Sequence, residues 1–338
     1  MNLKNKKCLI LGGAGFLGMN LSLHLQSKGM KISVLDTLSN GYINSSDVLK
    51  ANNIEFIHAN ALDIKNMIKI LKDFDYVINL VSSNILDDGF TRQEDLVDTS
   101  ILSTQILMQA ATHYNVSRII IASNLHVYGE TKPYRTPCKE DMKNLKPINP
   151  LGSIKLAEET IAKTLAKAYE QKTTILRISE CFGPFLKTHM PYSQMATTAL
   201  ACITGKECTL PNDGMDGRDY IYVKDVCEYV DKILSEDQED MIETYYICSG
   251  KEITFREIFD LMNKHYDSEI PKIKERMVIY PFAGHIVGNN SKIKERFGDY
   301  NSNFEDSFNS TLSWLLNQFV SQQQMIQKAQ ESVQQTTS

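Results

Sequence analysis

No apolar stretch runs uninterrupted for anything near the ~20 residues that a membrane span needs, so no transmembrane helix and no membrane partner are expected. A secretory signal is lacking too: behind the basic Lys4, Lys6 and Lys7, the apolar run Cys8–Leu11 stops at Gly12-Gly13, too short for a signal-peptide core. The seven cysteines include no C-x-x-C and no paired Cys/His spacing of a zinc site, and their number is odd. They read as small hydrophobic residues in a reducing compartment, which implies a cytoplasmic protein without a metal. Positive charge is in deficit as well. With 36 Lys and Arg against 41 Asp and Glu, the formal net charge of −5 gives no field to attract a nucleic-acid backbone.

What is present is an ordinary globular composition, 42% hydrophobic and 23% charged, over 338 residues. At ~150 residues per domain, that length suggests two domains or one with a sizeable addition. Short apolar runs alternate with amphipathic stretches, the pattern of a parallel sheet covered by helices. Strands are expected at Cys8–Leu11, Lys31–Leu35, Glu55–His58, Tyr76–Leu80, Arg118–Ala122 and Thr173–Ile178, with helices at about 15–28, 64–72, 97–114 and 151–170. A Pro- and charge-rich segment, Lys132 to Pro150, reads as a long surface loop. The fold class is α/β, a Rossmann-type doubly wound parallel sheet with a smaller C-terminal lobe. Residues 1–178 form the first domain, to which about 219–248 return; 179–218 and 249–320 form the second lobe. The tail, 321–338, holds seven Gln and is expected to be frayed or a solvated helix without chemistry.

Gly12, Gly15 and Gly18 lie directly after the first strand and open a helix whose first turn holds Phe16 and Leu17. That context meets the needs of dinucleotide binding: a tight turn, close backbone approach to pyrophosphate, and a helix N-terminus aimed at the anion. The second strand ends at Asp36, where a carboxylate can accept hydrogen bonds from the adenosine ribose and would repel a 2′-phosphate. No Arg or Lys lies between 37 and 49. NAD is therefore expected over NADP.

Together with this turn, the runs Asp36-Thr37-Leu38-Ser39-Asn40-Gly41, Val127-Tyr128-Gly129, Phe182-Gly183-Pro184 and Arg218-Asp219-Tyr220-Ile221-Tyr222-Val223-Lys224-Asp225, with Lys155 in a helix, resemble the extended short-chain dehydrogenase/reductases. The similarity is to their NAD-dependent epimerase/dehydratase family, which acts on nucleotide sugars, and it covers about 1–315. It implies that Gly12, Gly15, Phe16, Leu17, Gly18, Asp36, Asn40, Asn60, Ala61, Leu80 and Lys155 line NAD. Arg218 would grip the diphosphate of a nucleotide-diphosphate sugar, or else form a structural ion pair with Asp219 or Asp225. A homodimer is implied through the helices at 97–114 and 151–170, burying Ile101, Leu107 and Met108.

The chain departs from the family where acid/base chemistry is done. The Tyr expected four residues before Lys155 is Leu151, which has nothing to ionise; losing a positioned acid/base typically costs ~10² to 10⁴ in rate. The family's Ser or Thr is Asn124, and the Asp and Glu that follow it in sugar 4,6-dehydratases are Leu125 and His126. Glu180 stands where a substrate-binding Asn is common. His126 is a candidate acid/base or a polar liner of the site, and Tyr128 and Tyr134 are other candidate phenols. Cys181 is a weaker candidate nucleophile. The catalytic candidates are thus Lys155, Asn124 and His126, with Arg218 and Glu180 at the substrate. Two functions compete: an NAD-dependent nucleotide-sugar epimerase, dehydratase or reductase with substituted acid/base residues, and an inactive NAD- and nucleotide-sugar-binding relative serving as sensor or partner subunit.

Overall fold

The computed structural model describes residues 2–39, 41–42, 44–82, 97–129, 137–187, 193–266, 273–276 and 285–336. Asn40 and Tyr134 lie outside the described residues. Seven strands, β1 (Lys7–Leu11), β2 (Lys31–Asp36), β3 (Glu55–His58), β4 (Tyr76–Asn79), β5 (Arg118–Asn124), β6 (Thr173–Ile178) and the late-returning β10 (Ile242–Ile247), form one sheet in the order β10-β6-β5-β4-β1-β2-β3. Every pairing in it is parallel. This is the doubly wound order, and the direction in which successive strands are added reverses between β1 and β4.

The strands are apolar on both faces because both faces are covered by helices. Ile10, Val34, Ile78 and Ile120 pack with α1 (Phe16–Ser27) and α7 (Val223–Ser235), through Met19, Leu25, Val226 and Val230. Their neighbours Leu9, Leu11, Val77 and Ile121 point to the opposite face, onto α3 (Ile64–Leu71), α4 (Ser103–Ala111) and α5 (Pro150–Ala168). Leu107 and Met108 of α4 belong to that core and are fully buried within one chain. They are therefore unavailable to a dimer interface, contrary to the sequence expectation; Leu102, Gln105, Gln109 and Thr112 face outward instead.

The helix expected over 97–114 is split into a π-helical turn, Asp98–Leu102, and α4. A short α2 (Ser45–Ala51) escapes sequence reading because seven residues with a polar Ser-Ser-Asp start carry no full amphipathic repeat. The second lobe is built on β9 (Gly217–Tyr222), flanked by β7 (Glu180–Phe182), β11 (Glu252–Thr254) and β13 (His285–Ile286). Helices α6 (Gln194–Thr204), α8 (Phe255–Tyr266), α9 (Ser291–Phe297) and α10 (Phe304–Thr336), and the pair β8 (Cys208–Pro211) and β12 (Ile273–Arg276), complete the structure. Because β9 lies in the small sheet, the return to the first domain begins at Val223 with α7 rather than at 219. The tail is helical through Thr336, anchored upstream by fully buried Phe308, Leu312 and Leu315.

Candidate functional site

At the carboxyl end of β1 the backbone turns at Gly12, whose φ of +70° disfavours any side chain and whose added Cβ would lie 3.0 Å from the Leu80 backbone. Gly18 lets α1 close onto this turn, since a Cβ there would fall 2.4 Å from the Gly13 Cα. Gly15 is the N-cap of α1 and supplies no side-chain cap, so the first-turn amides of Phe16 and Leu17 keep their donor capacity for an anion. Asp36 is fixed beside them: its Oδ2 accepts from the Ala14 N–H at 3.0 Å and its Oδ1 from the Leu38 N–H at 2.8 Å. Ala61 is buried and Leu80 half-buried at neighbouring strand ends. Asn60 is exposed and uses Oδ1 to accept from the Leu62 N–H at 2.9 Å, which leaves that oxygen one lone pair. These residues set helix N-terminal amides and a fixed carboxylate side by side at the topological switch point, a cradle that fits NAD.

Tertiary structure adds a group that the sequence did not reveal. Lys187, from the loop after β7, lies within the field of Asp36: burial lowers its pKa, and the Asp36 charge opposes that shift. The basic neighbour looked for between 37 and 49 arrives instead from 150 positions downstream. We expect NAD to bind more tightly than NADP in titration calorimetry, and Asp36→Ala to narrow the gap by exposing a 2′-phosphate to Lys187. Adding Lys187→Ala to that variant should weaken NADP again; unchanged NADP affinity would remove Lys187 from the argument.

On the other side of the switch point, β5 ends at Asn124, whose Oδ1 caps a 3-10 turn (Leu125–Tyr128) by accepting from the His126 N–H at 3.0 Å. Its carbonyl is thus engaged in local structure, and only its NH₂ remains to donate. Leu151, in the first turn of α5, packs on Ile101 and Ile154. Lys155 is not a surface lysine. It is buried, with Nζ donating to the Ala122 carbonyl at 3.0 Å and to Glu158 Oε2 at 2.8 Å, and Glu158 Oε1 accepts from Thr104 at 2.8 Å. Burial pushes the Glu158 carboxyl up, while the Lys155 charge pulls it down. The ammonium is therefore tied to a carboxylate of its own helix. Spacing alone, i to i+3, could have flagged this pair.

Tyr128 is excluded as an acid/base by its surroundings. Its hydroxyl donates to the Lys139 carbonyl and accepts from Arg177, each at 3.0 Å, and burial raises its pKa. Arg177 in turn makes a bidentate pair with Glu159 at 2.9 and 2.7 Å. Burial likewise raises the Cys181 thiol well above the ordinary range, leaving an inert side chain rather than a nucleophile.

His126, Glu180 and Arg218 do converge. His126 Nε2 lies 3.6 Å from Glu180 Oε1, and Nδ1 lies 3.3 Å from Asn149 Nδ2. Asn149 is the N-cap of α5, with Pro150 at the first helical position, a signal legible in Asn149-Pro150 but given no site role above. Its Oδ1 accepts from the Gly152 N–H at 2.8 Å, which turns its NH₂ toward His126. Gly152 is required there, since a Cβ would come 2.3 Å from the His126 carbonyl oxygen. Burial would raise the Glu180 carboxyl, but the hydrogen bond and charge of His126 and the charge of Arg218 hold it below its ordinary value. Arg218 is buried, donates to the Gly217 carbonyl at 2.9 Å, and stands over the Phe255 ring at 5.5 Å. The carboxylates considered as its structural partners are engaged elsewhere: Asp219 by Ser249, Gly250 and Gly288, Asp225 by Ser302.

Among the described residues, His24, Glu228 and Asp231 could jointly approach a metal ion, but Lys28 lies 3.3 Å from Glu228 and 3.9 Å from Asp231. They read as a charged staple between α1 and α7, and no described helix is long and apolar enough to cross a membrane.

Known proteins resemble this chain in sequence and fold. The chain is 28% identical over 243 residues to a dTDP-D-glucose 4,6-dehydratase of Dictyostelium discoideum, across 68% of this chain and 55% of that one. It is 26% identical to a UDP-N-acetyl-alpha-D-glucosaminuronate decarboxylase of Bacillus cytotoxicus, across 91% and 97%. Among solved structures, a UDP-N-acetylglucosamine 4-epimerase from Methanobrevibacter ruminantium, in complex with UDP-N-acetylmuramic acid, superimposes with a TM-score of 0.82 at 25% identity, covering 93% of this chain and 99% of that one. A UDP-glucuronic acid 4-epimerase from Bacillus cereus, in complex with UDP-glucuronic acid and NAD, shares the fold at a TM-score of 0.84. A family model matches residues 8–248, and with the glycine turn and Asp36 in place the chain belongs to the NAD-dependent epimerase/dehydratase family, with NAD as its cofactor.

Proposed function

We propose that this protein binds a nucleoside-diphosphate sugar beside NAD and acts on the sugar by hydride transfer, with acid/base residues other than a phenol. The observation that carries the reading is the convergence of His126, Glu180 and Arg218 where the second lobe meets the carboxyl ends of β5 and β6. NAD supplies the hydride acceptor and donor. The protein's own residues bind the ligand and hold the Glu180 carboxylate against the His126 ring, with His126 as the candidate acid/base. Relatives whose names specify UDP- and dTDP-sugars support the ligand class. The test is to supply NAD with a panel of UDP- and dTDP-sugars and follow both nicotinamide reduction and the mass of the sugar product.

A second reading, a relative that binds both ligands without turnover, is favoured by the Lys155–Glu158 pair next to Leu151. It predicts ligand binding in calorimetry with no product on any sugar. Under both readings Arg218 grips the diphosphate. Removing a charge-assisted hydrogen bond typically costs ~1.5–3 kcal/mol, so Arg218→Ala is expected to weaken UDP-sugar binding roughly tenfold or more. Affinity equal to the parent's would remove Arg218 from the site.

A further inference from the structure

Two departures from the family pattern touch one another. His126 and Glu180 lie on separate elements, 54 positions apart, yet their side chains meet at 3.6 Å. The contact is ordered from outside: the Gly152 N–H fixes Asn149 Oδ1, the Asn149 amide then donates to His126 Nδ1, and Nε2 is the ring nitrogen left facing Glu180. The chain Gly152–Asn149–His126–Glu180 therefore ends on a carboxylate held in place, with its side chain 29% exposed while that of His126 is 12% exposed. Of the two, Glu180 is the group that reaches toward a ligand. Among the described residues, its other charged or titratable neighbours include Arg218, Tyr220, paired with it in register across β7 and β9, and Cys181.

A diphosphate engaged by Arg218 would leave the Glu180 charge with His126 as its partner among the described residues, on a side chain still 29% exposed. We propose that Glu180 is a specificity-determining residue, positioned by Asn149 and His126, that admits uncharged or amino-bearing sugars of nucleoside diphosphates and rejects sugars carrying a carboxylate. The inference rests on the nucleotide-sugar reading above. A fixed carboxylate accepts hydrogen bonds from sugar hydroxyls and attracts an ammonium. It meets a uronate as an unpaired like charge, a repulsive element that discriminates against one ligand class.

Calorimetry on the NAD-loaded protein with UDP, UDP-glucose and UDP-glucuronate tests this without requiring turnover. The parent is expected to bind UDP-glucose about tenfold or more tightly than UDP-glucuronate, since like charges brought together at an interface are strongly unfavourable. Glu180→Gln keeps the side-chain shape and should close most of that gap by improving UDP-glucuronate by a larger factor than UDP, whose diphosphate also gains from removal of a negative charge near Arg218. His126→Ala should narrow the gap less, by releasing the carboxylate to move. Equal affinity of the parent for the two sugars, or a gap that survives Glu180→Gln, overturns the proposal. Absence of binding by UDP and by both sugars would overturn the nucleotide-sugar reading itself, a result distinct from lost discrimination.

Discussion

Installing a phenol at position 151 is expected to raise sugar-dependent reduction of NAD by ~10²-fold or more over the parent, the usual scale of a positioned acid/base. The change requires three substitutions because the structure shows three obstacles. Leu151 offers nothing to ionise, Asn124 spends its carbonyl on the His126 N–H, and Glu158 holds the Lys155 ammonium at 2.8 Å. Leu151→Tyr supplies the phenol one helical turn before Lys155, and Asn124→Ser restores a hydroxyl. Glu158→Gln removes the competing charge while leaving an amide oxygen for Thr104. Absorbance of the reduced nicotinamide under single-turnover conditions measures the effect. Variants with unchanged NAD affinity and no gain in rate would show that Leu151 does not face the nicotinamide.

The second large effect concerns stability. Glu159 is buried and accepts from Arg177 at 2.9 and 2.7 Å, from Ser123 at 2.7 Å and from Lys163 at 3.0 Å. Glu159→Ala leaves the fully buried Arg177 guanidinium without its carboxylate, and breaking such a pair typically costs ~3–5 kcal/mol. Urea unfolding of parent and variant measures the loss; a difference of less than ~1 kcal/mol, the scale of an exposed pair, would contradict the burial argument. The linkage has a definite sign. Desolvation alone would raise the Glu159 carboxyl, but its hydrogen bonds with Arg177 and Ser123 and the charges of Arg177 and Lys163 hold it below its ordinary value. The unfolded chain therefore takes up this proton first as pH falls. The contribution is fully present above the unfolded carboxylate pKa and is lost as pH falls through the lower folded value. The parent's stability should drop over that acidic window, and the Glu159→Ala variant should lack this component.

Much of the architecture was written locally. Alternating apolar runs set β1 to β6, because a strand covered by helices on both faces is predominantly apolar. The glycines at 12, 15 and 18 specified the cofactor turn within a single strand–turn–helix unit, and the acid at 36 could be read from its place at the end of the next strand. Leu151 lies one helical turn before Lys155, a spacing that can be read along one helix, and the expectation of a phenol there came from the family resemblance. What the sequence did not contain was the company each charged group keeps. Lys155, whose i to i+3 partner Glu158 was legible, looked available until burial and the Ala122 carbonyl were seen to hold it, Asp36 acquired Lys187, and Leu107 and Met108 turned out to face their own core. His126 and Glu180, two separate oddities along the chain, became one ordered pair. Side-chain direction and pairing between elements depend on packing across the sheet and between the lobes, where the energies of burial and of charge are decided by neighbours tens to hundreds of residues away.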